Sequence, residues 1–214
     1  MAQICEILQE LYPDALCALE YGGEPWRLMV MARLSAQCTD ARVNIVSRSL
    51  FARFPTLDTL ADADLAEIEE IVRPCGLYRT KAQSIKAACE IVRDRFDGKI
   101  PDNMDDLLSL PGVGRKIANL LLGDIYGKGG IVADTHCIRI CGRLGMYPET
   151  LRDPTKIERI MGELFDAAEG SDFCHRVVIF GRDICVAGSP RCEICPIKHL
   201  CAAAERNGKN KSGK

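Results

Sequence analysis

The sequence predicts an all-helical protein. Apolar residues recur every three or four positions in successive segments, and no segment sustains the alternation of apolar and polar residues that is typical of strands. Capping residues and Gly or Pro turns separate these segments. Together these observations favour a compact bundle of short helices.

Each helix is predicted from its own periodicity and end signals. In chain order the helices run from Thr39 to Pro55, from Leu65 to the turn Pro74-Cys75-Gly76, from Lys81 to Phe96, from Met104 to Leu110, from Lys116 to Gly127, from Thr135 to Leu144, and from Asp172 to Cys185. Thr39 and Asp172 are candidate N-caps, because their side chains can accept from free backbone N–H groups. Gly127 stands where a C-cap glycine belongs. The basic segment after Cys201 is predicted to be a solvated, disordered end.

Length and composition restrict the class of protein. A chain of 214 residues, 47% of them hydrophobic, can bury a real core as one large domain or two small ones. The net charge of −2 means that a polyanion must meet a local basic face. No apolar run reaches the roughly 18 residues of a membrane span, and the N-terminus lacks a signal-peptide pattern. We therefore expect a cytoplasmic protein without a membrane partner, whose thiols stay reduced or bind metal.

Four cysteines near the C-terminus indicate one metal centre. Cys185, Cys192, Cys195 and Cys201 follow the pattern C-x6-C-x2-C-x5-C within 17 residues. Structural zinc sites usually use two short pairs separated by a longer stretch, whereas one enveloping loop suits an iron–sulfur cluster. The spacing leaves open two disulfides, four buried thiols, or a zinc loop with His199 as a substitute ligand. The other eight cysteines stand at apolar positions and are interpreted as core residues.

The segment LPGVGRK, residues 110–116, lies between two predicted helices and is typical of a helix-hairpin-helix motif. Gly112 and Gly114 allow backbone N–H groups to point outward at the start of the second helix, where a DNA phosphate could bind without any base being read. Val113 and Arg115 share this turn and are candidate DNA contacts. An ordinary turn between packed helices is the alternative.

Lys116 and Asp134 are the candidate catalytic residues. An amine nucleophile forms a Schiff base only when neutral, and Arg115, the positive helix end and partial burial would all disfavour the ammonium of Lys116. One more phosphate contact is the alternative for this lysine. Asp134 follows 18 residues later and could stabilise positive charge at a sugar carbon. Its simpler interpretation is an N-cap for the helix that starts at Thr135.

The order of the motifs LSAQCTD (34–40), GLY (76–78), LPGVGRK (110–116), DTH (134–136) and the four-cysteine loop resembles the endonuclease III family of DNA glycosylases with AP-lyase activity. The resemblance covers nearly the whole chain. It implies two helical lobes around a DNA-binding cleft. Residues 18–129 would form a six-helix barrel with the helix-hairpin-helix. Residues 1–17 and 130–214 would form the second lobe, in which the cysteine loop 185–201 holds a 4Fe-4S cluster.

The resemblance also assigns roles residue by residue. Lys116 matches the family's nucleophile and Asp134 its essential carboxylate. Gln37 matches a residue that fills the gap left in the duplex, and Leu77 one that wedges between bases. The implied activity is base-excision repair on double-stranded DNA with damaged bases or abasic sites, by a monomer that removes oxidised pyrimidines through a Schiff base and β-elimination. In a bacterium the protein would be associated with the nucleoid.

Further DNA contacts are expected from His136, Arg191 and Lys198. The sequence departs from the family pattern at Ile117, Ala133 and Cys38, where threonine, valine and alanine are common, and these departures put the lesion preference in doubt. One alternative is a monofunctional mismatch glycosylase, which usually lacks the lysine and carries an extra C-terminal domain. The other is a non-catalytic iron–sulfur module that binds DNA.

Overall fold

The computed structural model describes the backbone of residues 1–211 and the side chains of residues 1–166 and 169–206. All regular secondary structure in residues 1–211 is helical, which confirms the predicted fold class. The α-helices of this part of the chain are α1 Ala2–Leu11, α2 Pro25–Leu34, α3 Asp40–Arg53, α4 Leu57–Ala61, α5 Leu65–Val72, α6 Tyr78–Phe96, α7 Met104–Leu108, α8 Arg115–Tyr126, α9 Thr135–Leu144, α10 Pro154–Gly162, α11 Ala167–Asp183 and α12 Ala202–Lys211. Within residues 1–211, no helix has both the length and the apolar character that a bilayer span needs.

The chain divides into two compact units. One is Cys17–Tyr126, and the other combines Met1–Leu16 with Gly127–Lys214. The first unit therefore contains α2 to α8, and the second contains α1 and α9 to α12. The roles predicted for residues 18–129 and for residues 1–17 with 130–214 stay predictions.

Helix α6 organises the core of the first unit. It packs against α4, α5 and α2, and its residues Ile85, Ala88, Cys89 and Val92 are all at most 2% exposed. Their spacing places them on one face of the helix, as the sequence predicts. Burying an aliphatic side chain of this size contributes about 2 kcal/mol. The middle of α6 is consequently fixed in the core of this unit.

Helix α9 is central to the second unit. It packs on α11 and α12, and α1 packs on α11. The inward face of α9 carries Cys137, Ile140 and Cys141, which are fully buried. Gly181 of α11 permits a close approach, because a Cβ there would lie 2.5 Å from His136 Nδ1.

The predicted start of α11 is wrong. The helix begins at Ala167 and not after Asp172, which lies inside it and pairs with Arg176 at 3.5 Å. The sequence does not indicate this earlier start, because Gly170 lies in the first turns of the helix and glycine disfavours helix interiors. In the folded unit Gly170 is buried, and a Cβ there would meet Ile131 Cδ1 at 3.2 Å, so close packing explains the residue.

Other helix ends also differ from prediction: α5 ends at Val72, before the predicted turn at Pro74, and α11 ends at Asp183, two residues before Cys185. Helix α6 starts at Tyr78, three residues before the predicted Lys81, and α7 ends at Leu108, two residues before Leu110. The segment after Cys201, predicted to be disordered, forms α12 up to residue 211. An ion pair of 2.6 Å between Arg206 and Glu149 holds it to the second unit. The last residues of the predicted tail, 212–214, lie outside the described part of the chain.

Candidate functional site

The hairpin of the first unit joins α7 to α8. Leu110 and Val113 are buried, and the Val113 amide donates to the Leu110 carbonyl at 3.1 Å, which closes the turn. Gly112 and Gly114 between and beside them are exposed. The two apolar side chains therefore anchor the turn while its glycine backbone faces solvent, next to the positive end of α8.

The two hairpin glycines have different surroundings. Gly112 has φ +79°, and a Cβ there would lie 2.6 Å from Arg33 Nε and 2.9 Å from Ser84 Cβ. Arg33 in turn donates from Nε to Ser84 Oγ at 2.8 Å. Apart from Gly114 and its two chain neighbours, no described residue has an atom within 4 Å of a Cβ built on Gly114. Gly112 is therefore required by the protein's own packing, whereas the space beside Gly114 is open to a ligand.

Lys116 lies in the first turn of α8, and Arg115 beside it is also exposed. The side chain of Lys116 itself is exposed. Among the described residues its ammonium has no hydrogen-bond or ion-pair partner. The amine is therefore accessible to a ligand that approaches the hairpin.

Gln37 and Leu77 share an unusual backbone conformation. Their φ angles are +56° and +47°, in the left-handed region that non-glycine residues seldom adopt. In residues 1–211 the only other non-glycine residue with positive φ is Asp97. Both side chains are exposed, and Leu77 is 61% exposed despite being apolar. Strained backbone combined with an outward apolar side chain is typical of a functional contact.

A buried lysine connects the two segments that carry these residues. Lys81 is 0% exposed, and its Nζ donates to the carbonyl oxygens of Leu34 and Cys75, both at 2.8 Å. Burial lowers the pKa of Lys81. Burial and the neighbouring thiol of Cys38 raise the pKa of Cys75 to about 11. The segments 34–38 and 75–77 therefore meet around one ammonium group.

Asp134 belongs to the second unit and caps α9. Its Oδ1 accepts from the Cys137 amide at 2.7 Å, and its own amide donates to the Val132 carbonyl at 2.7 Å. The predicted N-cap is thus confirmed. The half-buried carboxylate lies at the N-terminal, positive end of α9. The catalytic role predicted for Asp134 stays a prediction.

His136 is half-buried against its own unit. Its Nδ1 lies 3.3 Å from Arg139 Nη2, and the ring packs on the backbone of Gly181. The DNA contact expected of His136 stays a prediction. Arg191 and Lys198 lie in the cysteine loop, and both side chains are exposed.

The four cysteines of the loop 185–201 line one cavity of about 250 Å³, together with apolar residues such as Ile140, Phe180 and Ile197. Each of the four is half-buried, and none of the twelve cysteines forms a disulfide. Burial raises the pKa of Cys195, and the other three thiols of the loop raise it as well. A thiol-lined, largely apolar cavity fits an iron–sulfur cluster, which takes thiolate ligands.

The thiols do not form a single-ion site. Among the described residues, no three His, Cys, Asp or Glu side chains converge to hold one metal ion. A four-iron cube has no need of such convergence, because each thiolate binds a separate corner.

Two arginines of α9 fasten the start of the cysteine loop. Arg143 donates from Nη1 to Cys185 Sγ at 3.3 Å and to the Val186 carbonyl at 3.1 Å, and from Nη2 to the Ala187 carbonyl at 2.7 Å. Arg139 donates to the Cys185 carbonyl at 3.0 Å. These arginines stand one helical turn apart and give the loop a rigid origin.

Comparison with known proteins agrees with this geometry. The profile described as HhH-GPD superfamily base excision DNA repair protein matches residues 30–167, and that of the iron-sulfur binding domain of endonuclease III matches residues 185–201. Endonuclease III of Synechocystis is 42% identical over 204 residues, which cover 95% of this chain and 92% of the relative.

Two solved structures superpose on nearly the whole chain. A non-covalent endonuclease III–DNA complex matches with a TM-score of 0.89 at 36% identity, covering 97% of this chain and 96% of its own. A trapped endonuclease III–DNA covalent intermediate matches with a TM-score of 0.88 at 36% identity, covering 97% and 98%.

The fold and the hairpin thus define a base-excision DNA repair protein of the HhH-GPD superfamily. The sequence identity to the Synechocystis endonuclease III, over nearly the whole of both chains, shows the family. The chain belongs to the endonuclease III family of DNA glycosylases with AP-lyase activity. Its cofactor is the 4Fe-4S cluster of that family.

The residues that support the site are not among those predicted from the sequence. Lys81, Arg33 and Ser84 hold the segments of the first unit, and Arg139 and Arg143 hold the cysteine loop. A signal for Lys81 was available, because it precedes Ile85 by four positions and so lies on the buried face of α6.

Proposed function

We propose that this protein removes oxidised pyrimidines from double-stranded DNA through a Schiff base on Lys116. The observation that carries the proposal is the position of this lysine: it is exposed, unpaired among the described residues, and in the first turn of the helix after the hairpin. A hairpin that binds the phosphate backbone brings the sugar of the lesion to this helix end. We further propose that the protein acts as a monomer and, in a bacterium, at the nucleoid.

The reaction follows from amine chemistry. The neutral amine of Lys116 attacks the sugar C1′, and the bond to the damaged base breaks as the base leaves with a proton. Ring opening then gives an imine between Lys116 and C1′. Loss of a proton from C2′ expels the 3′ phosphate by β-elimination and nicks the strand 3′ to the lesion. Asp134 would stabilise the positive charge that develops on the sugar and imine.

Gln37 and Leu77 would replace the extruded nucleotide within the duplex. Base extrusion leaves a gap and unstacks the neighbouring steps, at a cost of a few kcal/mol. An exposed leucine can wedge into the stack, and a glutamine amide can hydrogen-bond to the orphaned base. Their exposure and left-handed backbone support this assignment.

The cluster would be held by Cys185, Cys192, Cys195 and Cys201. Four thiolates fill all four iron corners, so the group has a structural role when bound and leaves no iron open to substrate. It would shape the loop that carries Arg191 and Lys198, whose exposed side chains could then contact phosphates.

Alanine at Gly114 tests the phosphate contact of the hairpin. The methyl group has room in the free protein but occupies the space where a DNA phosphate would approach. We expect Gly114→Ala to keep wild-type stability and to weaken binding about tenfold, or about 1.4 kcal/mol. Damaged and undamaged duplexes should be affected equally, because this contact reads no sequence.

Equilibrium binding at constant salt and thermal melting measure the two quantities. Gly112→Ala is the contrasting variant, since its Cβ would meet Arg33 and Ser84 and should lower stability itself. Wild-type affinity in Gly114→Ala, or a loss confined to damaged DNA, would contradict the phosphate role.

A panel of duplexes tests the proposed substrate class. Each carries one oxidised, hydrated, alkylated or mismatched base, and nicking and borohydride trapping are recorded for each. We expect oxidised pyrimidines to be cleaved at least ~10-fold faster than mismatched bases, a difference of about 1.4 kcal/mol in the barrier. Base release from mismatches without trapping or nicking would instead indicate the monofunctional alternative.

A further inference from the structure

We propose that Lys81 is a positioning residue, which holds the Gln37 and Leu77 segments in the conformation needed to extrude a base. The proposal deepens the function proposed above and rests on the roles given there to Gln37 and Leu77. Lys81 itself has no access to DNA, since it is 0% exposed.

The geometry connects one ammonium group to both segments. Lys81 Nζ donates at 2.8 Å to the carbonyl of Leu34, three residues before Gln37. It donates at 2.8 Å to the carbonyl of Cys75, two residues before Leu77. The Lys81 amide also donates to the Leu77 carbonyl at 3.0 Å, which ties Leu77 to the first turn of α6.

Both acceptors are carbonyls at the end of a helix. Leu34 is the last residue of α2, and Cys75 is the last residue of a short 3-10 turn that follows α5. Carbonyls at a C-terminal end lack helical partners and carry partial negative charge. A single ammonium group therefore donates a hydrogen bond to each of two helix ends. Beyond these ends the chain continues to Gln37 and to Leu77, the exposed residues with left-handed backbone.

The cost of burying this charge argues that the contact is specific. A lysine ammonium in an apolar interior is expensive unless it is fully hydrogen-bonded, whereas methionine would fill the same face of α6 without that cost. Hydrogen bonds from a charged donor are stronger than those between neutral groups. Removing the amine would leave the Leu34 and Cys75 carbonyls buried without their donor.

The backbone at Gln37 and Leu77 needs such a restraint. A non-glycine residue in the left-handed region is strained and persists only where its surroundings hold it. Lys81 holds both segments from within the unit. Ordering them before DNA binds removes part of the entropic cost of forming the wedge.

Loss of Lys81 is expected to affect two substrates differently, a damaged base and a preformed abasic site. Extruding a stacked, paired base requires the wedge to compete with the duplex, whereas an abasic site has no base to unstack. Loss of Lys81 should therefore slow cleavage at a damaged base more than cleavage at a preformed abasic site. A general loss of stability would reduce both reactions by the same factor.

The test compares Lys81→Met with Ile85→Ala. Ile85 lies one helical turn further along α6, is 1% exposed, and serves as a control for lost packing in the same helix. Single-turnover nicking is measured on a duplex with one oxidised pyrimidine and on the same duplex with an abasic site. We expect Lys81→Met to lower the ratio of the two rates about tenfold, and Ile85→Ala to leave the ratio at its wild-type value.

Fluorescence of 2-aminopurine placed beside the lesion gives a second readout. The rise that reports unstacking should be reduced in Lys81→Met at saturating protein and retained in Ile85→Ala. Lys81→Gln is a second variant, for the case in which Lys81→Met does not fold. Its amide can still donate to one of the two carbonyls, so we expect a rate ratio between those of the wild type and Lys81→Met.

A wild-type rate ratio in Lys81→Met or Lys81→Gln, or an equal fall in Ile85→Ala, overturns the positioning role. Failure of the proposed function is seen separately, because wild-type protein would then give no borohydride adduct on either duplex.

Discussion

Lys116→Gln is expected to abolish the borohydride-trapped adduct with abasic DNA while the protein still binds that DNA. An amide nitrogen is not nucleophilic, so no imine can form and nicking should fall by ~10³-fold or more, about 4 kcal/mol in the barrier. The side chain is exposed, so its replacement removes no packing and the fold should be unchanged. Trapping on denaturing gels and binding by fluorescence anisotropy measure the two outcomes.

The matched control is Lys99→Gln. Lys99 is an exposed lysine of the same unit that lies outside the hairpin, so its loss removes the same charge without touching the chemistry. This variant should trap as the wild type does. An adduct that persists in Lys116→Gln would mean that another amine is the nucleophile. Loss of DNA binding together with trapping would instead favour a phosphate contact for Lys116.

Lys116 is exposed in the free protein, where its side chain is in water. The positive end of α8 and the exposed side chain of Arg115 lie beside it. In the proposed reaction, DNA that covers the first turn of α8 would exclude this water from the amine.

Local signals in the sequence were sufficient for much of the fold. Thr39 caps α3 by accepting from the Arg42 amide, and Asp134 caps α9 in the same way. Gly127 follows α8 with φ +62°, as a C-cap glycine should. These helix ends could be predicted because a cap is a hydrogen bond between residues two or three positions apart. Both partners of the contact are therefore visible in a short stretch of sequence.

The contacts that the sequence did not predict are between distant residues. The Lys81 acceptor at Leu34 is 47 positions away, and both acceptors are backbone carbonyls, which every residue possesses. The left-handed backbone of Gln37 and Leu77 gave no signal either, because glycine is the residue that normally marks it. Spacing could place Lys81 on a buried face, but only the packed unit shows what the ammonium binds.

The C-terminal segment shows a related limit. The residues after Cys201 are rich in Lys, Arg, Asn and Gly, a composition that predicts a solvated end. In the structure, Ala202 packs against Gly145, where an added Cβ would lie 2.9 Å from the Ala202 Cβ. The cysteine loop directly precedes α12 and places it at this contact. Tertiary packing, and not local helix propensity, therefore stabilises this helix.

The iron–sulfur site provides the second large expected effect. Purified protein should be brown and contain about four irons per chain. Cys192→Ser should reduce iron to less than about one per chain and give unstable or insoluble protein, because a serine hydroxyl is a poor ligand for a four-iron cluster. Iron analysis, visible absorption and the soluble yield measure these effects.

Cys5→Ser is the matched control for the cluster. Cys5 is a half-buried cysteine of α1 in the same unit but outside the loop, so its replacement tests thiol loss without touching the cavity. This variant should keep its colour, its iron and its activity. In Cys192→Ser, loss of activity should follow loss of folded protein, since the filled cluster offers substrate no open iron. One zinc and no iron in anaerobically purified wild-type protein would contradict the cluster, and full activity in iron-free, folded Cys192→Ser would contradict its structural role.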